Sequence, residues 1–193
     1  MTLNGKQILL IVSGGIAAYK AAVLVRRLKD AGASVVPVLT RGGAQFITPL
    51  TLSALAENPV YEDLFSLKDE AEMGHIRLAR EADLILVAPA SADLIAKMAH
   101  GLTDDLASTT LLAADGPVAI APSMNPVMWA NPATQANVAT LMQRGIQVWG
   151  PADGDMACGE IGTGRFEEPE DLVARTRAPP APKPLAGKRP RAT

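Results

Sequence analysis

The stretch ILLIVSGGIAAYK, residues 8–20, decides the fold. Its first five residues form an unbroken apolar run, the pattern of a strand buried on both faces. Ser13-Gly14-Gly15 ends the run, and residues 16–30 then carry helical spacing as far as Ala31-Gly32, where a glycine suits a helix C-terminus. Residues 34–39 (SVVPVL) form a second apolar strand. Strand, tight turn, helix, strand is a βαβ unit, and it favours a parallel sheet. The alternation continues along the chain. Helices are predicted over 44–56, 72–81, 92–101, 105–114, 131–145 and 170–177, and strands over 83–87, 117–121 and 147–149. The expected architecture is α/β: a doubly wound, mostly parallel sheet, flavodoxin-like or Rossmann-like, with helices on both faces.

Composition narrows the function classes. Of 193 residues, 48% are hydrophobic and 20% charged, which excludes global disorder. Aromatics make up only 4%, so the core must be aliphatic. The formal net charge of -2 leaves no basic footprint for nucleic acid. No apolar run approaches the roughly 20 residues that span a bilayer, and the polar start lacks the pattern of a signal peptide. A single cysteine, Cys158, excludes an internal disulfide framework and points to a reducing compartment. A cytoplasmic protein is expected, with neither membrane nor nucleic acid as partner. Two regions break the alternation. Residues 151–169 are Gly-rich with little periodicity, the mark of a functional or disordered loop. Residues 178–193 carry five prolines and four basic residues and read as a linker or flexible end.

Several segments carry chemistry. Glycines between a strand and a helix let backbone N–H groups approach an anion, so Ser13-Gly14-Gly15 reads as a phosphate site or as an ordinary tight turn. No G-x-G-x-x-G follows, no acid ends the second strand where Thr40 stands, and no G-x-x-x-x-G-K-[ST] occurs. A mononucleotide such as FMN therefore fits better than a dinucleotide or a nucleoside triphosphate. Ser13, Thr40, Ser91 and Ser123 all stand at strand ends, which a parallel sheet gathers on one edge. Their hydroxyls could hold a phosphate and the rim of a flavin, or cap the helices that follow. His75 begins an amphipathic helix as a candidate for catalysis or for a structural role, whereas His100, near a helix C-terminus, reads as structural. In PSMNPVMW (122–129), Asn125 offers two donors and an acceptor to a ligand carboxylate, or caps its own turn. Cys158 lies in MACGEIGTGR (156–165), whose glycines permit a mobile flap. No metal is expected.

Together SGGIAAYK (13–20), HIRLA (75–79), APASADLIAKMAHGLTDDL (88–106), PSMNPVMW (122–129) and ACGEIGTGR (157–165) resemble the flavin-containing cysteine decarboxylases, over about residues 5–177. The resemblance implies a flavodoxin-like fold, FMN as cofactor, and trimers or dodecameric assemblies of trimers with sites between subunits. Its nearest pattern implies FMN-dependent decarboxylation of phosphopantothenoylcysteine to phosphopantetheine and CO2 in coenzyme A biosynthesis. It makes His75 and Cys158 catalytic, Cys158 as proton donor, and Asn125 the ligand of the substrate carboxylate, with Met124 and Arg165 also in the substrate site. It sets FMN against Ser13, Gly14, Gly15, Ile16, Thr40, Ser91, Ala92, Asp93 and Ser123. Two positions depart from the family pattern: S-A-N-T is usual where Ser91-Ala92-Asp93-Leu94 stands, and Ala is usual at Ser123.

The implied chemistry explains the residue types. An α-carboxylate beside an amide nitrogen does not lose CO2, because the carbanion has no electron sink. Oxidising the neighbouring CH2–SH to a thioaldehyde creates one. A thiol of ordinary pKa, about 8.5, is still protonated at neutral pH and can reprotonate carbon. LAGKR (185–189) resembles the start of a synthetase domain that follows in bifunctional members. Residues 1–177 are thus expected to be an FMN-binding decarboxylase domain and 178–193 a linker toward a synthetase. Other flavin-dependent cysteine decarboxylases, a flavin prenyltransferase, a non-catalytic regulatory homologue and a cysteine hydrolase are the alternatives. The prenyltransferases lack the Asn-and-Cys pair, and the regulatory homologues lose one of His, Asn or Cys.

Overall fold

Strands β1 (Gln7–Val12), β2 (Ser34–Leu39), β3 (Leu84–Ala90), β4 (Val118–Pro122) and β5 (Gln147–Val148) form one sheet in the order β2-β1-β3-β4-β5. Every pairing in it is parallel. The computed structural model describes residues 2–64, 74–155, 159 and 161–178. This strand order is that of flavodoxin-like sheets, and it reverses direction between β1 and β3.

The continuous apolar strands follow from helices on both faces. Ile8, Leu10 and Val12 point into one core with Leu24, Val25 and Leu28 of α1 (Lys20–Asp30), Leu52 of α2 (Pro49–Ala56) and Leu172 of α8 (Pro169–Arg177). Leu9 and Ile11 point the other way. They meet Leu78 and Ala79 of α3 (Gly74–Glu81), Leu94 and Ile95 of α4 (Ala92–His100), Leu106 of α5 (Leu106–Leu112) and Leu141 of α7 (Pro132–Gln143). Each fully buried Leu or Ile contributes about 1.5–3 kcal/mol, so both layers are needed to offset chain entropy. The first core is closed by Phe166 and Trp149.

The structure redraws several predicted elements. The helix expected over 44–56 is a 3-10 turn, Gly43–Gln45, followed by α2. The break comes at Pro49: the residue before a proline avoids helical angles, so Thr48 is extended and caps α2 through its hydroxyl on Thr51 N–H. The helix over 16–30 begins as a 3-10 segment, Ile16–Tyr19, before α1. Within the stretch 151–169, β6 (Ala152–Asp155) and β7 (Ile161–Arg165) pair as an antiparallel hairpin. Short strands broken by glycine and alternating only partly in burial hide from a periodicity reading. The PSMNPVMW segment contains a further short helix, α6 (Pro126–Ala130), that the alternation gave no hint of. Residues 72 and 73 of the helix expected over 72–81, and 179–193 of the expected tail, lie outside the described residues.

At the opposite edge of the sheet, Asp83 pins the start of β3 to β1. Its carboxylate accepts from Lys6 Nζ at 2.8 Å and from Gln7 N–H at 2.9 Å. The Lys6 hydrogen bond first, then the Gln7 N–H, hold the carboxyl below the usual aspartate range. A depressed folded-state pKa contributes stability above the ordinary carboxylate value of about 3.9 and loses it as the pH falls through the folded value. Both side chains are more than a third exposed, so solvent screens the pair. Asp83→Asn is expected to cost at most about 1 kcal/mol at pH 7. Urea midpoints of the two proteins should converge as the pH is lowered below the carboxylate range; a gap that persists in acid would assign the loss to something other than this charge.

Candidate active site

A parallel sheet puts every strand's carboxyl end on one edge, and the loops that leave it carry the candidate residues. Ser13 ends β1. Its hydroxyl is buried, donates to Pro89 C=O at 2.7 Å and accepts from Ser91 N–H at 2.8 Å. One side chain thus locks the exit of β1 to the exit of β3, across the point where the strand order reverses. Ser91 in turn caps α4 by accepting from Leu94 N–H at 3.3 Å, and Thr40 accepts from Gly43 N–H at 3.1 Å. The capping role is therefore real for Ser91, and each of these two hydroxyls keeps its O–H to donate.

The glycines make the edge close and open at once. A Cβ on Gly14 would stand 3.1 Å from the Gly42 backbone, and one on Gly43 would stand 2.6 Å from Val12 C=O. Beyond Gly15, with φ at 149°, a Cβ would meet nothing within 4 Å. Two loops thus pack backbone against backbone, and the turn at Gly15 faces open space. A neutral ledge of N–H groups and hydroxyls beside open space suits a flat ligand with a phosphate arm.

Asp93, where the family pattern has Asn, stands in the first turn of α4 and pairs with Lys97 at 3.4 Å. A carboxylate there is favoured by the helix N-terminus and by a lysine one turn on. Lys97 also reaches Asp104 at 3.0 Å and Asp105 at 3.7 Å, and the Asp104 hydrogen bond leads the causes that raise its pKa. Asp93 thus shares a single lysine with two other carboxylates.

Beyond β4, Asn125 is the N-cap of α6. Its Oδ1 accepts from Val127 N–H at 2.8 Å and Met128 N–H at 3.2 Å. With the oxygen held twice, any donor contact from this side chain to a ligand falls to Nδ2. The hairpin packs against this segment: Met124 N–H donates to Gly164 C=O at 3.0 Å, and a Cβ on Gly162 would touch Pro126 at 3.4 Å. Arg165 follows at the end of β7. Its guanidinium pairs with Glu168 at 3.2 Å, and its Nε is buried with no hydrogen-bond partner.

A cavity of about 490 Å³ joins these parts, with Gly15, Ile16, Ser123, Met124, Asn125 and Arg165 in its walls. Its size suits a small organic ligand. Ala17, Tyr19, Lys20, Asp155, Gly164 and Phe166 complete it. Thr40, Ser91, Ala92 and Asp93 stand on the same sheet edge and outside this wall. His75 is the second residue of α3, half-buried, with Nδ1 buried and unpartnered. Its helix packs on the face of the sheet opposite α1 and Phe166, and His75 does not line the cavity. Cys158 belongs to the segment joining β6 to β7 and lies outside the described residues.

Sequence reasoning assigned no role to Lys20 or Glu168. Lys20 Nζ stands 3.2 Å from both Glu168 oxygens, linking the first residue of α1 to the residue preceding α8. The signal was present: a cation at the positive end of a helix needs a nearby anion.

The chain matches the family described as Flavoprotein over residues 1–179. It is 56% identical over 187 residues to the coenzyme A biosynthesis bifunctional protein CoaBC of Vibrio vulnificus, covering 97% of this chain and 47% of that protein. The chain thus spans about half the length of the bacterial relatives it matches. Among solved structures, a cysteine-to-serine variant of a PPC decarboxylase complexed with pantothenoylaminoethenethiol superposes with a TM-score of 0.81 at 32% identity, covering 89% of this chain and 96% of that one. The FMN binding protein AtHal3 superposes with a TM-score of 0.79 at 33% identity, over 89% and 95% of the two chains.

Ser13→Ala removes the hydroxyl donor to Pro89 C=O, which keeps the Ser13 N–H at 3.3 Å, and takes away the acceptor of the Ser91 N–H. It is expected to destabilise the fold by about 1–3 kcal/mol, read as a lower denaturant midpoint at unchanged m-value. An unchanged midpoint would mean that other contacts hold the two strand exits.

Proposed function

The chain belongs to the Flavoprotein family, and from that premise we propose that it binds FMN and decarboxylates phosphopantothenoylcysteine to phosphopantetheine and CO2, within coenzyme A biosynthesis. The observation that carries this reading is the single cavity joining the open glycine turn at Gly15 to Asn125 and Arg165. FMN would rest on the ledge formed by Ser13, Gly14, Gly15, Ile16, Thr40, Ser91, Ala92, Asp93 and Ser123. When bound, it supplies a reversible two-electron acceptor for the substrate carbon that bears sulfur.

The chain's own residues divide the remaining work. Asn125 holds the substrate carboxylate through Nδ2, while two backbone N–H groups fix its oxygen. A neutral donor is the right choice, because a cation would stabilise the carboxylate ground state and oppose CO2 loss. His75, with an unpartnered buried Nδ1, takes the proton of the substrate thiol. Cys158 donates a proton to the carbon that CO2 leaves. Met124 closes the wall beside Asn125.

His75 and Asn125 work on one substrate only if a second copy of the chain brings its His75 to the cavity. The site is therefore read as lying between subunits of a homo-oligomer, a trimer or an assembly of trimers. Exposed apolar residues beside the cavity support this: Ile16 at 57% exposure, Tyr19 at 56%, Val127 at 71% and Ile161 at 78%. A monomer gains nothing by leaving them in water. Residues 1–177 are read as the decarboxylase domain, and 178–193 as a linker to a synthetase domain. No helix among the described residues is long and apolar enough to cross a membrane, in keeping with a cytoplasmic enzyme.

The purified protein should be yellow and should release FMN on denaturation; release of FAD would count against the cofactor. Asn125→Asp sets a carboxylate against the substrate carboxylate and should lower kcat/KM by roughly 100-fold or more while flavin stays bound. Activity within a few-fold of wild type would remove Asn125 from the site. Cys158→Ser should release about one CO2 per site without forming the saturated thiol, because a hydroxyl is a far weaker acid than a thiol. Normal turnover by that variant would leave Cys158 a flap residue only.

A further inference from the structure

Lys20 and Arg165 share one carboxylate oxygen. Lys20 Nζ and the Arg165 guanidinium each stand 3.2 Å from Glu168 Oε1, so the two cationic nitrogens are no farther apart than twice that distance. Two cations on one acceptor leave a positive charge over. Both cations line the cavity that holds Asn125, and Asp155 is the other charged group in its wall. Lys20 is largely buried, with 19% of its side chain exposed, whereas Glu168 is 41% exposed. Arg165 Nε is buried and donates to nothing. A buried guanidinium N–H without an acceptor is costly, and such an atom in a cavity wall signals a missing partner.

An oxyanion fits these donors. Glu168 Oε1 stands where two cationic donors converge, the place that an oxygen of a tetrahedral anion would take. A phosphate has further oxygens for the rest of the guanidinium fork, while Lys20 serves it as a point charge. Glu168 is exposed enough to turn toward water when a stronger anion arrives, and it keeps the cations together until then.

We propose that Lys20 and Arg165 bind the phosphate of the substrate in the cavity that Asn125 also lines. The inference rests on the decarboxylase reading and deepens it. One cavity then reads both anionic ends of one molecule: a neutral amide takes the carboxylate that must leave, and two cations take the phosphate that must stay. The division has a physical reason, since strong charge pairing is useful only at the group that does not react.

The test compares phosphopantothenoylcysteine with its dephosphorylated form, pantothenoylcysteine, on the flavin-loaded protein. Wild type should favour the phosphorylated substrate at least about tenfold in kcat/KM, mostly through KM. Lys20→Met and Arg165→Gln should each collapse that preference toward one, and Lys20→Arg should restore part of it. A merely structural role for the pair lowers both substrates alike and leaves the ratio where it was. Calorimetry of phosphopantothenate against pantothenate reads the phosphate site without turnover. A chain that decarboxylates neither substrate, yet binds phosphopantothenate at least about tenfold tighter with the difference erased in Lys20→Met, keeps this site and loses the decarboxylase reading. Equal treatment of the paired ligands by wild type, or a wild-type ratio in both variants, overturns the phosphate site.

Discussion

The buried hydroxyl of Ser13 sets the relation on which the rest of the carboxyl edge depends. It spans from Pro89 C=O to Ser91 N–H, so the loop after β1 and the loop after β3 cannot move apart. This junction lies where the strand order reverses, the one place in a doubly wound sheet where neighbouring loops diverge to opposite faces and leave a crevice. The glycines beside it act on the same geometry. Gly14 and Gly42 let two backbones touch, while Gly15 leaves its outer side open. A rigid floor with an open side results from small side chains rather than from large ones, and this suits a core with so few aromatics.

Charge is distributed in a way that fits this floor. The ledge itself is neutral apart from Asp93, which shares Lys97 with Asp104 and Asp105. The cations Lys20 and Arg165 line the cavity tied to Glu168, and the same contacts bind α1, the hairpin and the start of α8 into one unit. The hairpin is further fastened to the Asn125 segment by the Met124–Gly164 hydrogen bond. Three stretches far apart in the chain, residues 15–20, residues 123–125 and the hairpin, therefore meet at one cavity.

Most of the architecture was legible residue by residue. The runs at 8–12 and 34–39 are strands because only burial on both faces tolerates unbroken apolar residues, and the structure has helices on both sides of them. The elements misread were those whose local signals oppose their context. β6 and β7 are short, glycine-broken and half-exposed, so no periodicity marks them. α6 is too short for a helical pattern and is made by its Asn125 cap and Pro126. The helix expected over 44–56 fails at Pro49 for a reason already written in the sequence, the restriction that proline places on Thr48.

The candidate site divides in the same way. Ser13, the glycine turn, Thr40, Ser91 and Asn125 could be found from sequence because each stands at the end of a predicted strand, and a parallel sheet must bring strand ends together. Which of them act within one wall could not be found so. Lys20, Asn125 and Arg165 converge only because the hairpin folds back onto α6 while the start of α8 meets α1, a matter of long-range packing that no local pattern encodes. His75 likewise looks from the sequence like a neighbour of Asn125 in function, yet its helix packs on the face of the sheet opposite α1. Sequence determined the type of fold and the edge that carries chemistry, because those follow from periodicity and chain direction. Tertiary structure alone decided which side chains share a cavity, because that depends on which face of the sheet each crossover takes and on contacts between residues more than a hundred positions apart.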